Sequence, residues 1–162
     1  MFRCDRLTWA AGKLAGQEAL LGCGLLVGAL VAGLVGQLAD PTFEATTWIW
    51  LVRTSFRAWI YGSAYLGIFL GLSQVSRSAL GAFALGLFAL IGITVARSIL
   101  TSDFANARIP LLRYLALLFP AEHSDRLWSP HWGAYLSAAL ALFGIGALGF
   151  GAGHAVFRGR DA

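Results

Sequence analysis

Residues 58–96 read AWIYGSAYLGIFLGLSQVSRSALGAFALGLFALIGITVA, and Arg77 is the only charged residue among them. On either side of it lies an uncharged run of about 19 residues, which at 1.5 Å rise per residue matches a hydrocarbon core roughly 30 Å thick. The runs meet at Ser73-Gln74-Val75-Ser76-Arg77-Ser78, a short polar knot. This pattern predicts two membrane-spanning helices joined by a tight turn at one membrane face. In water both runs would have to be buried on every side, and a chain of 162 residues has too little interior for that.

Composition points the same way. The chain is 58 % hydrophobic and 12 % charged, about half the charge of a soluble domain, with a mean hydropathy of +0.71. Its 20 glycines lie mostly inside apolar runs, as in membrane helices rather than flexible linkers. The net charge of +4 comes from residues that flank apolar runs and form no patch, which favours lipid headgroups as partners over nucleic acid. Cys4 and Cys23 are far apart, form no CxxC pair, and imply neither a disulfide framework nor a metal site. The apolar run after Arg3 and Arg6 is too long for a signal-peptide core, so no cleavable leader is expected. At this length a single domain is expected.

Working outward from the hairpin, the expected fold is all-α: a polytopic transmembrane helical bundle of four spans, with interfacial or re-entrant helices. The spans are about 19–39, 58–72, 79–96 and 132–157, and 98–130 is an external segment. In the first span Gly24, Gly28, Ala32 and Gly36 repeat at spacing four. Helices in lipid associate by close packing, so this smooth ridge marks a helix–helix contact, in this chain or with another. Ser63, Gly67 and Gly71 repeat the pattern in the second span. Ala82 with Gly86, and Gly149 with Gly153, do so more briefly in the third and fourth. Asp40-Pro41 ends the first span, because proline disfavours helical geometry in the residue before it.

The remaining segments are more polar. Met1–Glu18 reads equally as an interfacial helix or as a solvated extension of the first span. In Thr46–Arg57, Trp48 and Trp50, with Trp59 just beyond, suit an interface belt. Arg53 and Arg57 share one helix face there. They read as snorkelling residues on an amphipathic lead-in to the second span, or as a cationic lining near a substrate path. Ile109–Phe119 is too short to span and is broken by Arg113, so a re-entrant or interfacial piece is expected. Pro110, Pro120 and Pro130 punctuate this region, whose polar tip is Pro120–Arg126. Four spans put both termini on one side with Arg77. Six basic residues then fall on each side, so the positive-inside count is a tie.

No reaction chemistry is legible. There is no phosphate-binding glycine loop and no G-x-S-x-G. His123 beside Glu122 and Asp125 fits no metal-ligand spacing and reads as a solvated loop tip. His154 reads as a headgroup-level histidine, with a proton-relay role as the alternative. No cofactor and no catalytic activity are expected.

The residues resemble one family. Arg6-x6-Lys13-Leu14-Ala15 before an apolar helix resembles the lead-in to the third span of ABC-2 type exporter permeases. LGLSQVSRSALGAFALGLFAL (Leu70–Leu90) is similar to that family's hairpin between the fourth and fifth spans, and Phe157-Arg-Gly-Arg-Asp161 is similar to its C-terminus. The 98–130 segment falls where the family has an external loop before its last span. Members have six spans, and the match begins after the second. The resemblance therefore implies a separate ATP-binding subunit, plus a second permease copy or a companion chain carrying two more spans. The loop that normally engages the ATPase would lie outside this sequence, as in a split or shortened permease. It also implies an inner-membrane location with both termini and Arg77 cytoplasmic. The alternative is a non-transporting assembly or scaffold subunit of a larger membrane complex.

Overall fold

Helices account for nearly all of residues 6–40, 44–102 and 112–159, which the computed structural model describes, and no strand occurs among them. The elements are α1 (Arg6–Ala39), α2 (Ala45–Val75), α3 (Ala79–Leu100), α4 (Leu112–Ala116), a 3-10 turn (Pro120–His123), α5 (Ser124–Trp128) and α6 (Trp132–Gly159). Three helices are long and apolar enough to cross a membrane: Thr8–Ala39 within α1, the whole of α3, and α6. The all-helical expectation therefore stands, with three such helices.

The long elements outrun the segments expected from hydropathy. α1 is continuous from Arg6, so the basic N-terminal segment and the apolar run form one rod of about 50 Å. Likewise α2 joins Thr46–Arg57 to the 58–72 run in a single 31-residue helix. Its interior Arg53, Arg57, Tyr61, Ser63 and Tyr65 make it less apolar than the other three long helices. In the 98–130 segment, only one turn of helix, α4, falls within the Ile109–Phe119 piece, and residues 109–111 with Pro110 lie outside the described residues. So do Cys4, Arg108 and the Arg160–Asp161 ending.

The turn between α2 and α3 lies at the polar knot. Ser78 is extended and caps α3 by accepting the Gly81 amide on its hydroxyl (3.0 Å). Ser76 Oγ donates to the Ser78 carbonyl (2.9 Å), holding the cap in place. Arg77 is exposed at the apex. Ser78→Ala should cost about 1 kcal/mol, read as faster amide exchange at Gly81 with the rest of α3 unchanged. Unaltered exchange there would show that the cap carries no weight.

The chain divides inside α2 into two compact units, residues 1–63 and 64–162. In the first, α1 and the N-terminal part of α2 form an antiparallel hairpin. Trp48 packs on Gly33 and Trp59 on Gly22. The tryptophans are eleven residues apart and so are the glycines, three helical turns on each helix. The same register sets Ser63 against Glu18. Trp48 and Trp59 are thus half-buried knobs in glycine holes, while Trp50 alone of the three expected belt residues is exposed. In the C-terminal half of α1 the buried stripe is Ala29 and Gly33, flanked by the half-buried Gly22 and Gly36. Gly24 and Gly28 face open space, and Ala32 is exposed. Among the described residues the spacing-four ridge is therefore largely bare, and the hairpin uses a neighbouring stripe.

In the second unit, the C-terminal part of α2 packs against α6. Residue numbers rise together along the contact, Gly67 on Gly146 and Gly71 between Gly149 and Gly153, so these two helices run parallel. A shorter core lies where the 3-10 turn and α5 meet α6, with Leu127, Leu142 and Pro120 fully buried. There His123 is buried, and its Nε2 lies 2.8 Å from the Leu117 carbonyl. This corrects the solvated loop tip expected for it: the polar ring has a backbone partner and can leave water. Glu122 pairs with Arg97, tying the end of α3 to this region. No residue of α3 is buried. Phe83 and Phe88 are each 71 % exposed, an arrangement stable in lipid or against another chain but not in water.

Candidate functional site

The α2–α6 seam is built from residues without side chains. A Cβ added at Gly149 would fall 2.9 Å from the Ile68 Cα, and one at Gly67 would strike the Gly146 backbone. A Cβ at Gly153 would strike the Gly71 backbone, and one at Gly71 the Gly149 backbone. Glycine leaves a smooth surface on which backbones can approach closely and dispersion acts over a wide contact, the way helices associate in lipid. Of the three α2 residues expected to pack, Gly67 and Gly71 belong to this seam, whereas Ser63 serves the hairpin with α1. Residues four apart drift about 40° around a helix, so a run at that spacing turns from one neighbour to the next.

Beside the seam, Gln74 on α2 meets His154 on α6. His154 Nδ1 lies 3.1 Å from Gln74 Oε1, an acceptor, so the ring nitrogen donates. Phe150 lies nearly parallel to the imidazole, with centroids 6.4 Å apart, and Phe157 is tilted at the same distance. His154 is only 9 % exposed. It is a helix-bridging residue sheltered by aromatic rings, more enclosed than the headgroup-level position expected for it.

The first unit carries a polar cluster that composition alone does not single out. Ser63 Oγ donates to Glu18 Oε2 (2.6 Å) and lies 2.9 Å from the Trp59 carbonyl. Trp59 Nε1 donates to the Glu18 backbone carbonyl (3.2 Å). Ser63 is buried. Glu18 was assigned by sequence to the N-terminal segment, yet it lies inside the long apolar helix. Its signal was its isolation, since no other charge occurs between Lys13 and Asp40. Next to it opens a cleft of about 320 Å³, lined by Gly22, Cys23, Leu26, Phe56 and Trp59 among others.

Of the basic residues singled out from sequence, Arg53 and Arg57 belong to the first unit and Arg77 to the second. Arg53 is exposed and borders a cleft with Leu26, Trp48 and Phe56. Arg57, one turn on, is half-buried. Arg77 sits at the α2–α3 turn. Among the described residues, no three His, Cys, Asp or Glu side chains converge as a metal site would require. What these arrangements do chemically is pack helices and present one carboxylate to an aromatic cleft. No protein-family model, curated protein or solved structure matches the chain.

Proposed function

We propose that this chain is a permease-type subunit of an ATP-driven exporter, anchored in the plasma membrane and working with a separate ATP-binding subunit. The observation that carries the reading is the incompleteness of its packing. α3 buries none of its residues, and Gly24 and Gly28 on α1 meet nothing within van der Waals reach of a Cβ. Small-residue ridges and apolar helices that bury no residue are surfaces on which membrane subunits assemble. The resemblance of the 70–90 hairpin to ABC-2 permeases supplies the kind of assembly.

In this reading α2 is a fourth span. It is paired in register with α1 from Trp48 to Ser63, so it lies at the same membrane depth over that length. Both termini and Arg77 face the cytoplasm, and Arg53 and Arg57 lie toward the outer face, near the path. The helices move when the ATPase dimer closes, and a second permease copy or companion chain completes the bundle.

Affinity purification of the tagged chain from its native membranes should recover an ATP-binding protein in near-stoichiometric amount. Recovery of other membrane subunits but no ATPase would refute transport and leave the second reading, a scaffold subunit of another complex. One observation favours that second reading: the clefts beside Trp59, Phe69 and Trp48 are lined mainly by apolar side chains, with Glu18, Ser55 and Arg53 as the polar exceptions.

A further inference from the structure

We infer that the cleft between α1 and α2 binds an amphiphile with an ammonium head, the head on the Glu18 carboxylate and the tail along Leu26 and Phe56. Four features of the first unit converge on this chemistry. Glu18 is a carboxylate within a helix apolar enough to span a membrane, where a charge is costly and calls for a partner. One of its oxygens accepts the Ser63 hydroxyl, and the other has no partner among the described residues. Trp59 is fixed at the cleft by its own hydrogen bond to the Glu18 carbonyl and by its seat on Gly22. Indole and phenyl faces attract cations, and alkyl-ammonium groups above all, since these shed water readily. The cleft's volume of about 320 Å³ lies at the small end of the range for ligand sites, and apart from Ser55 its other walls are apolar.

An anionic amphiphile is excluded by the carboxylate, and a neutral one gains nothing from it. The positive charge is therefore the recognition element and the apolar wall the affinity element. Two sources offer this head: a membrane phospholipid with a choline or ethanolamine headgroup, and a free lipophilic amine. The inference concerns binding only and holds whether or not the chain is part of an exporter.

The test is saturable binding of tritiated decyltrimethylammonium to the detergent-purified full chain, read by scintillation proximity. Glu18→Gln keeps the size of the side chain and its bond to Ser63 but removes the charge. It should weaken binding about fivefold or more, the weight of one partly exposed charge pair. Decanol and decyl sulfate should not compete. Should Glu18→Gln fail to purify as a monodisperse species, Cys23→Phe fills the cleft from an exposed position and should abolish binding with the carboxylate intact. Competition by phosphatidylcholine but not phosphatidylglycerol assigns the natural head to lipid. Competition by neither, with decyltrimethylammonium still bound, assigns it to a free amine. Unchanged binding in both variants, or displacement by decanol as effective as by the unlabelled ammonium, would overturn the inference.

Discussion

Gly71→Ala lowers the stability of the detergent-solubilised protein by about 1–3 kcal/mol, the usual cost of forcing a methyl group into a filled contact. The reason is geometric. The new Cβ meets backbone atoms of Gly149 and Phe150 on α6, and backbone cannot rotate away as a flexible side chain can. The helices must separate, and every dispersion contact along the seam weakens with distance. Gly67→Ala and Gly153→Ala act by the same route, against Gly146 and Gly71 respectively. Gly24→Ala and Gly28→Ala are the controls. Their Cβ atoms meet nothing within 4 Å among the described residues, and alanine is the better helix former by about 1 kcal/mol. Thermal unfolding followed by circular dichroism should therefore show a lower midpoint for the seam variants and an equal or higher one for the ridge variants. If Gly71→Ala were neutral, the close approach of α2 and α6 would be wrong. If the ridge variants instead lost an oligomer that the wild type forms in membranes, the α1 ridge would be an interface with another chain.

The second large effect is expected at Gln74 and His154. Gln74→Leu removes the acceptor of a buried ring N–H, and a buried donor left without a partner costs about 1–3 kcal/mol. Replacing both residues by leucine removes donor and acceptor together, so the double variant should be more stable than the sum of the single losses by about 1 kcal/mol. A double-mutant cycle on chemical or thermal unfolding in detergent measures this coupling. Strict additivity would mean that the 3.1 Å contact does not hold α2 to α6. The same His154→Leu variant bears on the proton-relay alternative: a bridge that only packs leaves any transport or growth phenotype in proportion to the loss of folded protein. A phenotype beyond that loss would give the ring a chemical role.

The all-helical character and the apolar stretches within the long helices were legible because they follow from one-dimensional quantities. The run of apolar residues, its length against a 30 Å core, and the serine-rich interruption at residues 73–78 are local. The α2–α3 turn and the start of α3 at Ala79 accordingly agree with the expectation. Gly67, Gly71, Gly149 and Gly153 were also visible as small-residue repeats. What sequence could not decide was which neighbour each ridge meets. Ser63, Gly67 and Gly71 look alike at spacing four, but one pairs with α1 and two with α6. The Gly24–Gly28–Ala32 ridge reads as a helix contact yet is exposed among the described residues, whereas Gly22 and Gly33 are used because the tryptophans that fill them recur at the same interval on α2. Pairing between helices depends on register, which no single helix contains. Glu18 and His123 follow the same rule. A polar side chain is legible as such from sequence, but its burial is decided by a partner far along the chain or on a returning backbone, Ser63 for the one and the Leu117 carbonyl for the other. The chain by itself determined that α1, α3 and α6 are long and apolar enough to cross a membrane, since composition and run length are properties of the sequence alone. The tertiary structure alone decided which glycines touch and where the single carboxylate of the long apolar helix finds its hydrogen bond, because those outcomes depend on how neighbouring helices are rotated and aligned.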